Sequence, residues 1–281
     1  MALTDKLTNI ADAIREKTGS TRTMNLEEMA AAVTNITIPT INTEVEDALL
    51  TRTLTSYEND RITELGRYGL QGMFLLETVS LPNLVKTPID AFTDCTALKH
   101  VSLPKYTGLQ GGSKMFYRCS ALTDDSFDIP NLIHTNAWDF WECTGLTKIP
   151  YESQLNYVGD NCFRNCLIQS ANLSNVTGIG YGSFQDCKSL VRVDVGVKQR
   201  GTLRRDTFNG CSALETCILR ADAFLPMDNT SAFKGTPIES GTGYIYVPSA
   251  LVDQYKAATN WTVYADQIRA IEDYSEITGG L

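Results

Sequence analysis

Ala91-Phe92-Thr93-Asp94-Cys95-Thr96-Ala97-Leu98-Lys99-His100-Val101-Ser102-Leu103-Pro104 is the stretch whose reading decides the fold. Its Phe-x-x-Cys pair returns as Phe116/Cys119, Phe140/Cys143, Phe163/Cys166, Phe184/Cys187 and Phe208/Cys211, a period of 21–24 residues. Self-similarity at that period marks a solenoid, in which each coil buries its apolar side against the next. The second half of the phrase, Leu98-x-x-Val101-x-Leu103, alternates as a short strand with one face inward. Leu122, Leu146, Leu190 and Leu214 take the place of Leu98.

The first coil hides its phenylalanine: Leu70 takes that slot and Met73 the cysteine slot, ahead of Leu76-Glu77-Thr78-Val79-Ser80-Leu81-Pro82. Phe233 marks a last coil without a cysteine. The expected array is about eight coils between 57 and 240, roughly 40 Å long at about 4.8 Å per coil. Four residues before the phenylalanine slot stand Gly66, Pro88, Gly112, Asn136, Gly159, Gly180, Arg204 and Asn229. Gly and Asn tolerate a left-handed backbone, so this column reads as a turn repeated once per coil. Leu146-Thr147-Lys148-Ile149-Pro150 is two residues short before its proline, and Cys166-Leu167-Ile168 lacks the usual spacer. Shifted or bulged strands are expected there.

This combination of apolar–Gly turn, Ala-Phe, Cys and Leu-x-x-Val-x-Leu-Pro strand resembles the BspA-like class of leucine-rich repeats, over about 185 residues. The resemblance implies an α/β, mostly β, leucine-rich-repeat solenoid. Ahead of it, Leu3, Leu7, Ile10 and Ile14 share one helical face, and Asn25 with Glu28 looks like a capping box for a second helix carrying Met29 and Val33. Helices this short are marginal alone in water. Residues 1–36 are therefore read as a docking or oligomerisation module, with Leu3, Leu7, Ile10, Ile14, Met29 and Val33 as its candidate contacts. Residues 37–56 read as a linker with a short helix, since Thr37-Ile38-Pro39-Thr40 breaks helix and ladder alike. After 241, Tyr244–Val247 reads as a final strand, Ser249 as the cap of a helix with Leu251, Val252 and Tyr255, and 241–281 as a C-terminal cap. That last segment resembles the closing piece common in the repeat class.

The opening Leu3-Thr4-Asp5-Lys6-Leu7-Thr8-Asn9-Ile10-Ala11-Asp12-Ala13-Ile14, with Glu27-Glu28-Met29-Ala30-Ala31-Ala32-Val33, resembles the start of tail-associated and other virion proteins of bacteriophages. The resemblance implies a chain mounted on a particle by its N terminus and projecting a solenoid for host-surface adhesion. Its expected partners are other virion proteins, a host-surface glycan or protein, and further copies of itself. Met1–Lys17 carry Asp5, Asp12 and Glu16 and lack a signal peptide's apolar centre, which fits assembly in a host cytoplasm and location in the virion. A purely structural decoration or head fibre, or a bacterial surface adhesin, is the alternative.

The net charge of −9 argues against general nucleic-acid or anionic-membrane binding, which need basic surfaces. No apolar run reaches the roughly 18 residues of a membrane span. Of eight cysteines, six hold the Cys95 slot, Cys162 stands before a phenylalanine, and Cys217 takes the inward strand slot of Val101. That is a ladder of buried structural thiols, with disulfides between stacked coils as an open alternative. There is no CxxC and no nearby histidine pair, so no metal is expected. No nucleophile has an identifiable base and no glycine loop fits phosphate, so neither enzyme activity nor cofactor is expected. A tertiary carboxylate pair acting on glycans is the sharp alternative. His100 reads as an exposed strand residue, and Asp124-Asp125 as a solvated loop.

The register exposes what does not belong. The slot two before phenylalanine holds Asp90, Lys114, Asn161, Gly182 and Asp206, but also Trp138; the slot after it holds Thr93, Arg164, Gln185 and Asn209, but also Tyr117 and Trp141. Polar-tolerant slots should be exposed, and large aromatics there need a cover. Tyr117, Arg118, Trp138, Trp141 and Arg164 are the candidate ligand-binding residues, with a subunit contact or a covered connection as the plainer reading. Lys198, Arg200, Arg204 and Arg205 form a basic cluster, and Lys99, His100, Ser102, Arg192, Asp194, Glu215 and Thr216 should face outward from the strands.

Overall fold

The structure is a computed structural model, and it describes residues 52–66, 69–196 and 201–278. The expectations placed on the N-terminal module, on most of the linker, and on Lys198 and Arg200 lie outside the described residues.

Parallel strands from successive coils form two main sheets, separated by the coil at 147–150 that contributes none. The first runs β1 (Ser56–Glu58), β2 (Thr78–Ser80), β3 (His100–Ser102) and β4 (Phe127–Asp128). The second runs β6 (Ser170–Leu173), β8 (Arg192–Val195), β9 (Thr216–Leu219), β10 (Tyr244–Val247) and β11 (Ile268–Ala270). Another leg of the coil adds the short pair β5 (Tyr157–Val158) and β7 (Gly178–Ile179). Register aligns Tyr57, Val79, Val101 and Phe127 in one column, and Ala171, Val193, Cys217, Ile245 and Ile268 in another. The mostly β repeat solenoid expected from the sequence is the observed architecture. Tyr244–Val247 is not the last strand, because β11 pairs beyond it.

The phenylalanines stack as one continuous column. Rings from Phe92 through Phe116, Phe140, Phe163, Phe184 and Phe208 to Phe233 follow one another at 5.3–5.8 Å between centroids. Trp261 and Tyr264 lie against the last ring, at 6.3 and 5.5 Å. Beside this column runs the cysteine ladder. Each thiol donates to the carbonyl of the preceding coil's phenylalanine slot, Cys119 to Phe92, Cys143 to Phe116 and so on to Cys211 with Phe184, at 2.9–3.2 Å. A small apolar side chain with one weak donor suits that position. All eight cysteines are free and buried, and burial pushes Cys95 and Cys187 up to about 12.

The turn reading needs correction. The left-handed residues are not in the glycine column but two before and two after the phenylalanine. Asp90, Lys114, Trp138, Asn161, Gly182 and Asp206 have φ of 51–63°; Asp94, Arg118, Glu142, Asn165, Asp186 and Gly210 have 59–75°. The glycine column is steric instead. A Cβ on Gly112 or Gly159 would stand 2.3 Å from backbone of the preceding coil, at Pro88–Ile89 or Asn136.

The irregular coils show how side chains replace missing ladder. Asp124-Asp125 is a two-residue insertion before Phe127, and no strand forms at 147–150 in the next coil. The Asp124 carboxylate accepts from the Thr147 and Lys148 amides at 2.8 and 2.9 Å and from the Thr147 hydroxyl. The Tyr151 hydroxyl accepts from the Ile129 amide and donates to the Phe127 carbonyl, at 2.8 and 3.0 Å. Glu152 accepts from the Asn172 amide. Asp124 is therefore a structural acceptor and not a solvated loop residue.

At the C-terminal end, Ser249 does not cap a helix. It opens a 3-10 turn after Pro248, and α1 (Val252–Ala257) follows without a side-chain cap. Downstream lies α2 (Ser275–Thr278), and Ile271, Tyr274 and Ile277 pack on Ile218 and Tyr246, which stand on the outward face of β9 and β10. Asp194 stands on the outward face in register with Ile218, yet it is only 3% exposed, because Arg220 binds both its carboxylate oxygens and also the Ile277 carbonyl.

Candidate functional site

The coils put the slots before and after phenylalanine on one edge, where backbone hydrogen bonds pass from coil to coil: Trp138 donates to Asp160, Arg118 to Trp141, and Glu142 to Arg164. That lattice fixes each side chain directly over its counterpart. On this edge Arg118, Tyr117, Trp141 and Arg164 form one stack. The Arg118 guanidinium lies 5.0 Å from the Tyr117 ring centre, the two rings are 5.7 Å apart, and the Arg164 guanidinium is 4.6 Å from the Trp141 ring. Lys114 joins Trp138 to the group, its ammonium 5.9 Å from both the Trp138 and the Tyr117 rings. All five candidate residues read from the sequence therefore come together.

Carboxylates anchor the stack at its ends. Asp94 pairs with Arg118 at 2.8 Å, and its hydrogen bond raises the guanidinium above its ordinary value. Asp186 pairs with Arg164 at 3.4 Å, and Glu142 accepts the Trp141 indole N–H at 3.0 Å. The expected full exposure of these slots does not hold. Tyr117, Trp138, Trp141 and Arg164 are half-buried, Arg118 is exposed, and Thr93 in the same column is buried against Lys114 and Asp90. Neighbouring coils stand so close that each side chain in the column shields the next.

Trp138 has φ 60°, a left-handed conformation that suits Asn, Asp or Gly and strains a bulky aromatic. Beside it, three buried polar atoms have no hydrogen-bond partner: Asn161 Oδ1, Arg164 Nε and Gln185 Oε1. Asn161 and Gln185 were seen in the sequence only as ordinary polar fillers of their slots, and no signal in the chain singled them out.

Two other surfaces are built but less complete. The outward face of β1–β4 holds a groove of about 360 Å³, with His100 exposed and Ser102 donating to Asp128 at 2.7 Å. Arg205 lies 4.7 Å over the Tyr181 ring and lines a recess with Arg204, Asp160 and Asp228. On another leg His134 and Tyr157 stack at 4.8 Å, and burial lowers the His134 pKa. Among the described residues no three His, Cys, Asp or Glu side chains converge as a metal site requires.

A family model, BspA type Leucine rich repeat region, matches this chain in six copies, at residues 28–135, 63–191 and 110–239. Among solved structures, the T. pallidum leucine rich repeat protein is 21% identical, with 58% of this chain and 68% of that one covered and a TM-score of 0.39. A leucine rich cell surface protein from Faecalibacterium prausnitzii A2-165 is 14% identical, with 70% and 66% covered and a TM-score of 0.41. A leucine-rich repeat protein from Bacteroides ovatus is 15% identical, with 79% and 85% covered and a TM-score of 0.33. No curated protein matches.

Proposed function

The chain belongs to the BspA-type leucine-rich repeat family, and from that premise we propose that it is a non-catalytic adhesin that meets a surface ligand with one edge of its solenoid. The observation that carries this reading is the stack of Arg118, Tyr117, Trp141 and Arg164 with Trp138 beside it, in slots that other coils fill with small or polar residues. Aromatic rings and arginines dominate the energetics of recognition surfaces. The opposite choice, the strand face, is open along β1–β4 but covered along β9–β10 by residues 271–277.

The setting we propose is a phage particle, with residues 1–36 as the mount, other virion proteins and further copies of the chain as partners, and a host-surface glycan or protein as ligand. Support comes from the apolar spacing of Leu3, Leu7, Ile10 and Ile14 and from the resemblance of the opening to virion proteins. A chain lacking residues 1–36 should stay soluble and fail to join particles. Incorporation of that shortened chain would refute the mount. Particles carrying W138A and W141A should assemble normally and lose host adsorption; unchanged adsorption would count against the edge.

A further inference from the structure

We infer that an open groove sharing Arg118 and Glu142 with the aromatic stack takes a linear uncharged glycan laid along the solenoid axis, one sugar ring per coil. This conclusion rests on reading the edge as the recognition surface. The groove holds about 560 Å³ and crosses four successive coils, from Phe74 through Thr96 and Ser120 to Thr144. Each of these residues follows the cysteine slot, after Met73, Cys95, Cys119 and Cys143. All four are exposed, Phe74 by 48%. Beside them in the groove runs the column of Asp94, Arg118 and Glu142. Asp94 binds Arg118 with both oxygens, at 2.8 and 3.0 Å. Glu142 takes the Trp141 indole and the Asn165 amide on Oε1, which keeps Oε2 for another donor.

The repeat of the groove selects the ligand. Equivalent positions recur once per coil, about every 4.8 Å. An extended peptide advances about 3.3 Å per residue and a polyproline helix about 3.1 Å, so neither presents the same group at each coil. A pyranose chain linked through equatorial bonds at C1 and C4 advances by close to one coil per ring, and each ring then meets the same kind of partner. Sugar hydroxyls donate to Glu142, accept from Arg118, and bond either way with Thr96, Ser120 and Thr144. Two carboxylates stand against one guanidinium in the groove, an excess of negative charge that repels acidic glycans and phosphodiester polymers. Phe74 ends the row with an aromatic ring where the next three coils place hydroxyls. The Arg52 guanidinium lies 5.8 Å over that ring, and its exposed surface suits the C–H face of a terminal sugar.

The test is calorimetric titration of the full chain with uncharged β-1,4-linked oligosaccharides of two to six rings: cello-, manno- and N-acetylated chito-oligosaccharides. At least one series should bind, with affinity rising ring by ring to four and then levelling, since the groove spans four coils. Phe74→Ala should weaken binding about tenfold or more and move the plateau to three rings, with the melting temperature nearly unchanged because the ring is half exposed. Ser120→Ala, a milder change in the middle of the row, should weaken binding as well. Absence of binding in all three series overturns the inference, as does affinity independent of length or unchanged in Phe74→Ala. An acidic glycan or a protein bound in a Phe74-dependent way, with no uncharged series bound, overturns it too. The reading of the edge fails separately, through unchanged adsorption of W138A/W141A particles. Adsorption lost in those particles without any sugar binding removes the groove alone; sugar binding with unchanged adsorption keeps the groove and removes the edge from host recognition.

Discussion

Asp139 occupies the slot before Phe140, which other coils fill with Ala91, Cys162, Ser183 or Ala232. Its carboxylate accepts from the Met115 and Asn136 amides at 3.1 and 2.7 Å, yet burial raises its pKa to about 7. The unfolded value is 3.8, so between that pH and about 7 the folded chain holds a proton that the unfolded chain has released. Stability from this group is therefore full below pH 3.8 and is lost as pH rises to about 7, by up to about 4 kcal/mol. Chemical denaturation at pH 5 and pH 8 should show the loss, and Asp139→Asn should flatten it. An equal pH slope in both proteins would contradict the assignment. Asp124 has the opposite sign. Its burial is outweighed by the bonds from Thr147 and Lys148, its pKa falls, and its stabilising effect is lost only in acid. Neither role was legible in the sequence, because the decisive partners, Met115 for Asp139 and Thr147 with Lys148 for Asp124, lie in the adjacent coil. The left-handed slots were legible in principle. Asp, Asn and Gly recur two before and two after the phenylalanine, whereas the glycine column drew attention for a conformation it does not have.

At the scale of the coil, the regular elements follow from two repeated needs. Each ring needs a flat neighbour on both faces, and each buried carbonyl needs a donor. The Phe and Cys columns meet both, which is why their spacing alone discloses the fold. Where the chain departs from that spacing, polar side chains take over the ladder. Asp124 serves three donors and Tyr151 bridges Ile129 and Phe127. The sequence showed the shortened coil but not its remedy, since a two-residue gap can be closed by a bulge, a shift or a side chain. Asp124→Ala and Tyr151→Phe should each cost about 1 to 2 kcal/mol, as half-buried partners lose their bonds. Urea unfolding measures both. Values near zero would mean that water replaces these groups and that the coil does not rely on them.

For the whole molecule, stacking turns single anomalies into a surface. Tyr117, Trp141 and Arg164 belong to successive coils, and only the solenoid makes them neighbours. The candidate site was legible as three aromatics out of place, Tyr117, Trp138 and Trp141, with Arg118 and Arg164 beside them; its unpaired polar atoms were not, because pairing depends on side-chain geometry. The most direct test compares edge with strand face. Purified chains carrying W138A/W141A or His100→Ala/Ser102→Ala are labelled and measured by flow cytometry on a panel of bacterial strains, with melting temperature as control. The account predicts that wild type and the strand-face variant adhere alike, while the edge variant loses about tenfold or more of its signal. Adhesion kept by the edge variant and lost by the strand-face variant would contradict it.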